Sequence, residues 1–477
     1  MNSLLHSDYK NLPKILSQTR QLAKEYFKNQ LELAPGRFVE DIEIPMMHEK
    51  GMGVENVLKF FRENYAHLIA NSAGPRYFGF VTGGSTPAAV AGDWLVSTYD
   101  QNNCGSNDSI APQLERQTIN FLRQIFGLDE NHFGSFTTGA TISNFVGLSL
   151  ARQWAGERLG VDISEHGLAD ISKIKIISGT AHASIFKSLS MLGLGRKSLT
   201  KIPALPDREA IDLNALENFL KTHPEHPVIL IANGGTVNTV DFDDIQAISR
   251  LKSKYNFWLH VDAAFGGFAA LSEKFKHLIE GINVADSICI DAHKWLNVPY
   301  DAAMQFTRHK NLQLKVFQNS AAYLTDASQS HDFFHYTPEN SRRWRSLPAW
   351  FTLMAYGKEG HREIVERNCE CAASLGEKIK NSSTFKLLAP VRMNIVCFTF
   401  DEAISSESIR VFLNAVRDDG RAFFTPTVYQ GIPAIRAAFS NWLTEKKDVE
   451  IAWTALNEVL AKNEFSFRNK LSTFTKQ

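Results

Sequence analysis

Chemistry in this chain gathers at Ser287-Ile-Cys-Ile-Asp-Ala-His-Lys-Trp295, where four strand-like residues run into an acid, a histidine, a lysine and a large aromatic. An ammonium at the end of a buried strand is costly, and burial lowers a lysine's pKa until its amine is a usable nucleophile toward an aldehyde. A lysine that snorkels to the surface gives the same local pattern, so Lys294 needs partners elsewhere. Two stand at comparable places. The strand-like Ile174-Lys-Ile-Ile-Ser178 delivers Gly179-Thr-Ala-His182, and Phe257-Trp-Leu-His-Val261 ends in Asp262-Ala-Ala-Phe-Gly-Gly267. In open α/β sheets, ligands bind outside the carboxyl ends of the strands, which is where His182, Asp262 and Lys294 are all expected.

The surrounding elements have the spacing needed to hold them there. Val228-Ile-Leu-Ile-Ala232 is a continuous apolar run, as expected of a parallel strand buried on both faces. It is followed by the loop Asn233-Gly-Gly-Thr-Val237, a helix through Ile245, Ile248 and Leu251, and the strand before Asp262, a βαβ unit with a right-handed crossover. Ala302–Phe306 reads as one more strand. Upstream, Ile110–Phe126 is an amphipathic helix, and Gly134-Ser-Phe-Thr-Thr-Gly-Ala-Thr-Ile-Ser-Asn144 is a turn that opens another. Free N–H groups and the positive dipole end favour a phosphate at such a start. Gly139 and Ala140 would allow close approach, with Thr138 and Thr141 as hydroxyl donors; a plain N-cap has the same appearance.

Composition bounds the rest. The 477 residues exceed one simple core and predict two or three domains. Lys+Arg and Asp+Glu are both 51, which gives no electrostatic reason to expect nucleic acid or an anionic membrane as partner. Five scattered cysteines, an odd number, point to reduced thiols and a cytoplasmic location. No zinc spacing, signal peptide or membrane-spanning run is visible. Residues 1–85 read as a helical N-terminal segment ending in the hydroxyl-rich turn Thr82-Gly-Gly-Ser-Thr86. Residues 86–352 read as a large α/β domain, and 353–477 as a small α+β domain. Between Gln318 and Arg345 lies a long polar stretch with Tyr323, His331, His335 and Tyr336, which marks a functional loop or lid.

A lysine, a strand-end aspartate, a histidine and a phosphate-type helix start suit an aldehyde cofactor carrying a phosphate and a pyridine ring, pyridoxal 5'-phosphate (PLP). The chain resembles the PLP-dependent group II amino-acid decarboxylases, from about Gln18 to the final helices. Asp291-Ala-His-Lys-Trp295 is similar to that family's lysine motif, with an acid where some members have Asn. His260-Val-Asp-Ala-Ala264 matches its ring-nitrogen motif, Thr180-Ala-His182 its stacking histidine, and Thr138–Asn144 its phosphate turn. Ser341-Arg-Arg-Trp-Arg-Ser-Leu347 follows its mobile catalytic loop. The resemblance implies PLP fold type I, with a large, mostly parallel sheet. It also implies a homodimer packed through the N-terminal segment, with the active site at the subunit interface. Lys294, His182 and Asp262 are the expected catalytic residues. Thr82, Gly139, Ala140, Thr141, Thr236, Ala264, Asp291 and His293 are expected, with those three, around the cofactor.

One departure concerns the proton donor. Counting back from Ser341, the place of a donor tyrosine falls on Phe333, with Tyr336 one turn on, so Tyr336 is the expected donor. A phenylalanine there would open other outcomes, such as oxidative deamination to an aldehyde. The expected reaction is decarboxylation of an L-amino acid to its amine, with an aromatic or bulky substrate favoured. The alternatives are an aldehyde-forming enzyme, a carbon–carbon lyase or an aminotransferase on the same scaffold, or a binding protein without catalysis.

Overall fold

A computed structural model describes residues 1–474 apart from 45, 106–107, 169–170 and 320–331, with side chains undescribed at 171 and 463–474. The chain builds two sheets. The larger has seven strands: β1 (Phe133–Thr137), β2 (Lys175–Ser178), β3 (Leu199–Lys201), β4 (Val228–Asn233), β5 (Phe257–Asp262), β6 (Ser287–Ile290) and β7 (Ala303–Thr307). Their order is β1-β7-β6-β5-β4-β2-β3. From β6 to β3 all neighbours are parallel, while β7 runs antiparallel to both β6 and β1. The sheet is therefore mixed and mostly parallel.

Burial explains why these runs are strands. Along β4 every residue is buried, and alternate side chains serve two cores. Val228, Leu230 and Ala232 join the core that contains Leu259, Ile288 and Trp295. Ile229 and Ile231 join the opposite core with Trp258 and Ile176, under the helices Ala140–Arg158 and Ala183–Met191. A strand covered on both faces has no position for a polar residue until it ends. Along β4 the first polar side chain, Asn233, thus appears at the carboxyl end.

The smaller sheet has four antiparallel strands, β8 (Phe385–Leu387), β9 (Ile395–Phe400), β10 (Thr425–Tyr429) and β11 (Ile432–Ala438), in the order β10-β11-β9-β8. Its own core joins Phe385, Phe398 and Phe412 with Leu375. The helix Ser346–Lys380, interrupted at Gly357 where φ is +59°, begins against helices of the larger unit and ends beneath this sheet. The N-terminal helices Ser3–Lys10, Leu12–Asn29 and Val54–Asn64 bury a single residue, Ile15. No helix among the described residues is long and apolar enough to cross a membrane.

Candidate active site

The ends of β2, β5 and β6 open into one cavity of about 550 Å³, whose lining includes His182, Asp262 and Lys294. Sheet topology alone brings these three together, since the strands are parallel and lie within four places of one another in the sheet. Among the described residues, Lys294 is the only lysine on the lining. It sits in the short turn of helix Ala292–Trp295, with Nζ 3.3 Å from Asp291 Oδ2 and 5.7 Å from the centre of the Phe265 ring. Burial by itself would raise the pKa of Asp291, but Lys294 and His293 outweigh it and hold the carboxyl below the ordinary carboxylate value. The amine thus lies against the Asp291 carboxylate. Behind this turn, a Cβ on Gly83 would lie 1.7 Å from the Lys294 carbonyl oxygen, so only glycine allows the loop to back the lysine.

Asp262 is nearly buried, and its two oxygens are held separately. Asn144 Nδ2 donates to Oδ2 at 3.0 Å, and the Ala264 N–H donates to Oδ1 at 3.2 Å. His182 caps the helix Ala183–Met191, its Nδ1 accepting the Ser184 N–H at 3.2 Å. Burial lowers its pKa, against the attraction of Asp262, so the imidazole is neutral where a pyridine ring would stack. The helix Ala140–Arg158 starts at Gly139 with no side-chain cap, and Thr138, Gly139, Ala140 and Thr141 all line the cavity. The first N–H groups of a helix have no partner within it, so this start presents donors and a positive dipole end to an anion.

The other expected contacts fall as follows. Ala264 and His293 line the cavity, His293 with Nδ1 accepting the Ala302 N–H at 3.3 Å and its ring 4.3 Å from Tyr300. Thr236 lines it too, but its hydroxyl is committed to Glu209 Oε2 at 2.5 Å. Thr82 is buried and hydrogen-bonded to Tyr300, and its neighbours Phe80 and Val81 face the cavity instead.

Tyr336 lies away from this cavity. It is 3 % exposed, its ring lies 4.8 Å from Phe133 and its carbonyl accepts from Gln313, on the β1 edge of the sheet and off the cavity lining. Phe333 is buried as well, under the Arg342 guanidinium at 4.7 Å. Neither ring is on the lining of this cavity. The loop's Tyr323 and His331 lie outside the described residues. Tyr336→Phe is expected to leave kcat little changed, since the ring packs on Phe133 away from this cavity. A hundredfold loss in steady-state assays would contradict this placement.

Three lining or supporting residues escape sequence reasoning. Glu209, in the β3–β4 connection, accepts from Thr236 and from Thr239 at 2.6 Å through one oxygen. Asn144 ends the turn motif but acts on Asp262 rather than on the anion site. Arg436 lies in β11, where a single cation interrupts an apolar run, the one signal that marks it. It is 4 % exposed, donates to the carbonyls of Phe80 at 2.8 Å and of Val237, and lines the cavity with Nη2 left without a partner. Burial lowers its pKa to about 10, which leaves it cationic. An orphaned guanidinium nitrogen, an open helix start, a carboxylate and one amine form a donor set that fits PLP together with an amino-acid carboxylate.

Comparison with known proteins agrees. Residues 39–401 match the family described as the pyridoxal-dependent decarboxylase conserved domain. An aromatic-L-amino-acid decarboxylase of Bacillus atrophaeus is 27% identical over 76% of this chain and 75% of its own length. A phenylacetaldehyde synthase of Petunia hybrida is 24% identical over 84% of each. The Oryza sativa TDC solved with PLP and tryptamine superposes with a TM-score of 0.86 at 20% identity, over 95% of this chain and 98% of that one. A family match of that extent makes this chain a member of the pyridoxal-dependent decarboxylases, a PLP-dependent carboxy-lyase acting on an amino acid.

Proposed function

We propose that the protein decarboxylates an aromatic L-amino acid to the amine, in a site completed by a second copy of the chain. The observation that carries this reading is the cavity itself, with one amine, one ring-facing carboxylate and one unsatisfied guanidinium at the strand ends. PLP, when bound, supplies the electron sink that lets the carboxylate leave. The chain's own residues do the rest. Asp262 holds a negative charge where the ring nitrogen needs one. His182 would wall the ring, and Asp291 Oδ2, 3.3 Å from Lys294 Nζ, would hold that amine whenever it is free. Arg436, the guanidinium on the lining, is the cation placed to receive the substrate carboxylate, and Phe80, Val81 and Phe265 give the cavity apolar surface suited to an aromatic side chain.

Arg436→Met is expected to lower kcat/KM by about a hundredfold, the scale of losing one buried charge-assisted pair. Unchanged kinetics would remove Arg436 from the substrate site. Circular dichroism checks that the Phe80 turn it supports is intact.

The dimer is supported by what the N-terminal segment exposes. Leu5, Tyr9, Leu16, Val57 and Phe60 are all exposed, as are Phe80 and Tyr300 near the lysine turn. Apolar surface on this scale marks an interface, and light scattering of the purified chain should give a dimer. The five unpaired cysteines, four of them buried, support a reducing, cytoplasmic setting. The experiment that tests the function is incubation with a panel of L-amino acids, scored for carbon dioxide and amine. Release from tyrosine, tryptophan or phenylalanine, but not from glutamate, is the expected result.

A further inference from the structure

Helix Ala140–Arg158 crosses β5 and β6 so closely that a Cβ on Gly147 would lie 2.7 Å from His260 Cε1 and 2.8 Å from its Nδ1. The missing side chain lets a fully buried imidazole lie beneath the helix that begins at the anion site. His260 is 0 % exposed and does not line the cavity. Burial takes its pKa down to about 4, so it is neutral under ordinary conditions.

The hydrogen bonds around it run in one direction only. A carboxylate accepts and an amide nitrogen donates, so the bond from Asn144 Nδ2 to Asp262 Oδ2 at 3.0 Å fixes which way the amide faces. Its Oδ1 then lies 2.9 Å from His260 Nε2 and has no proton to give. The imidazole proton is therefore on Nε2, and Nδ1 must accept from Ser287 Oγ at 2.8 Å. Ser287 in turn receives the Trp258 indole N–H at 2.9 Å. The other amide proton of Asn144 goes to Ser184 Oγ at 3.2 Å, leaving that hydroxyl to donate to His182 Nδ1 at 2.8 Å. Asn144, Ser184, His260 and Ser287 are all buried. From Trp258 to the two groups that face the cavity, each donor points onward.

We propose that Asn144, His260 and Ser287 are positioning residues, a buried relay that fixes the orientation of the Asp262 carboxylate and the protonation of His182. The inference rests on the reading that Asp262 and His182 face the PLP ring. Its physical basis is neutrality. A lysine or arginine at position 144 would also orient Asp262, but it would pair with the charge that the ring nitrogen needs. An amide backed by a neutral imidazole orients the carboxylate and leaves its charge available, and a polarised chain of hydrogen bonds holds it more firmly than one isolated donor.

The test has two readouts, one of them independent of the cofactor. In protein labelled with nitrogen-15 at histidine, His260 of the unloaded wild type should give a single neutral species protonated at Nε2. A species protonated at Nδ1, or a mixture, overturns the relay. In the loaded enzyme, His260→Leu and Asn144→Leu should lower kcat on the order of ten- to a hundredfold, as displaced supporting groups do. KM should stay within about threefold, and the pH midpoint of the visible absorption band should move. His260→Gln keeps one donor and one acceptor and should recover most of kcat and the midpoint. Leucine variants with wild-type kcat and midpoint, or a glutamine variant no better than leucine, overturn the proposal. Should the leucine variants fail to fold, Ser287→Ala, a small change in volume, decides by the same readouts. A lower kcat with a moved midpoint supports the relay, and unchanged values overturn it.

Discussion

Lys294→Ala is expected to abolish turnover, with kcat down by at least about a thousandfold, and to leave the purified protein without the yellow colour of lysine-bound PLP. Losses of that size follow removal of a covalent nucleophile that no neighbour can replace. Among the described residues Lys294 is the only lysine on the cavity lining. The substitution also frees Asp291, a buried carboxylate whose pKa is held down first by the lysine's charge against the cost of burial. Once that charge is gone, only His293, 3.2 Å away, remains to offset the burial, and the carboxyl pKa should rise. Weak PLP binding should survive at the helix start that begins at Gly139, so added PLP should give the spectrum of the free aldehyde rather than none. An alanine variant that stays yellow and active would move the covalent role away from Lys294. Absorption spectra of the two proteins, with carbon dioxide release, settle it.

Arg342→Met is expected to destabilise the fold by about 3–5 kcal/mol in chemical unfolding, the cost of leaving a buried charge without its partner. Arg342 and Glu115 are 1 % and 0 % exposed and meet at 2.8 Å. Around them the network is dense. Glu115 also accepts from Asn103 and from the Phe136 N–H at 2.9 Å, while Arg342 donates to the carbonyls of Asn103 and Phe136, both at 2.8 Å. This pair joins the loop around Asn103 to β1 and to the segment that carries Phe333 and Tyr336. The double variant Arg342→Met with Glu115→Gln should recover part of the loss, because no charge is then left unpaired. A single variant as stable as wild type would show that water or a neighbouring cation takes over the carboxylate.

These two sites differ in how far the sequence foretells them. The lysine turn, the strand-end aspartate and the histidine before its helix each follow a run of apolar residues, and such runs must end where polar side chains begin. Parallel strands then put those ends on one side, so Lys294, Asp262 and His182 could be placed together from pattern and topology. Arg436 could not, because it arrives from a strand of the second sheet, and its reach depends on how two sheets pack. Glu209 sits in a connection with no periodicity to read. Tyr336 shows the opposite limit of pattern reading. Position counting singles it out in the chain, but its ring packs on Phe133, and that contact is tertiary. Thr82 is similar, since which of three adjacent residues faces a cavity is set by the loop's backbone, where Phe80 takes a φ of +53°.

The most informative single experiment is a complete product balance with the L-amino acid that reacts fastest. Carbon dioxide and the corresponding amine in equal amounts, without ammonia or hydrogen peroxide, is the predicted result for a decarboxylase in which Lys294 releases the amine. Aldehyde with ammonia, or a keto acid without carbon dioxide, would contradict it and assign another reaction to the same cavity.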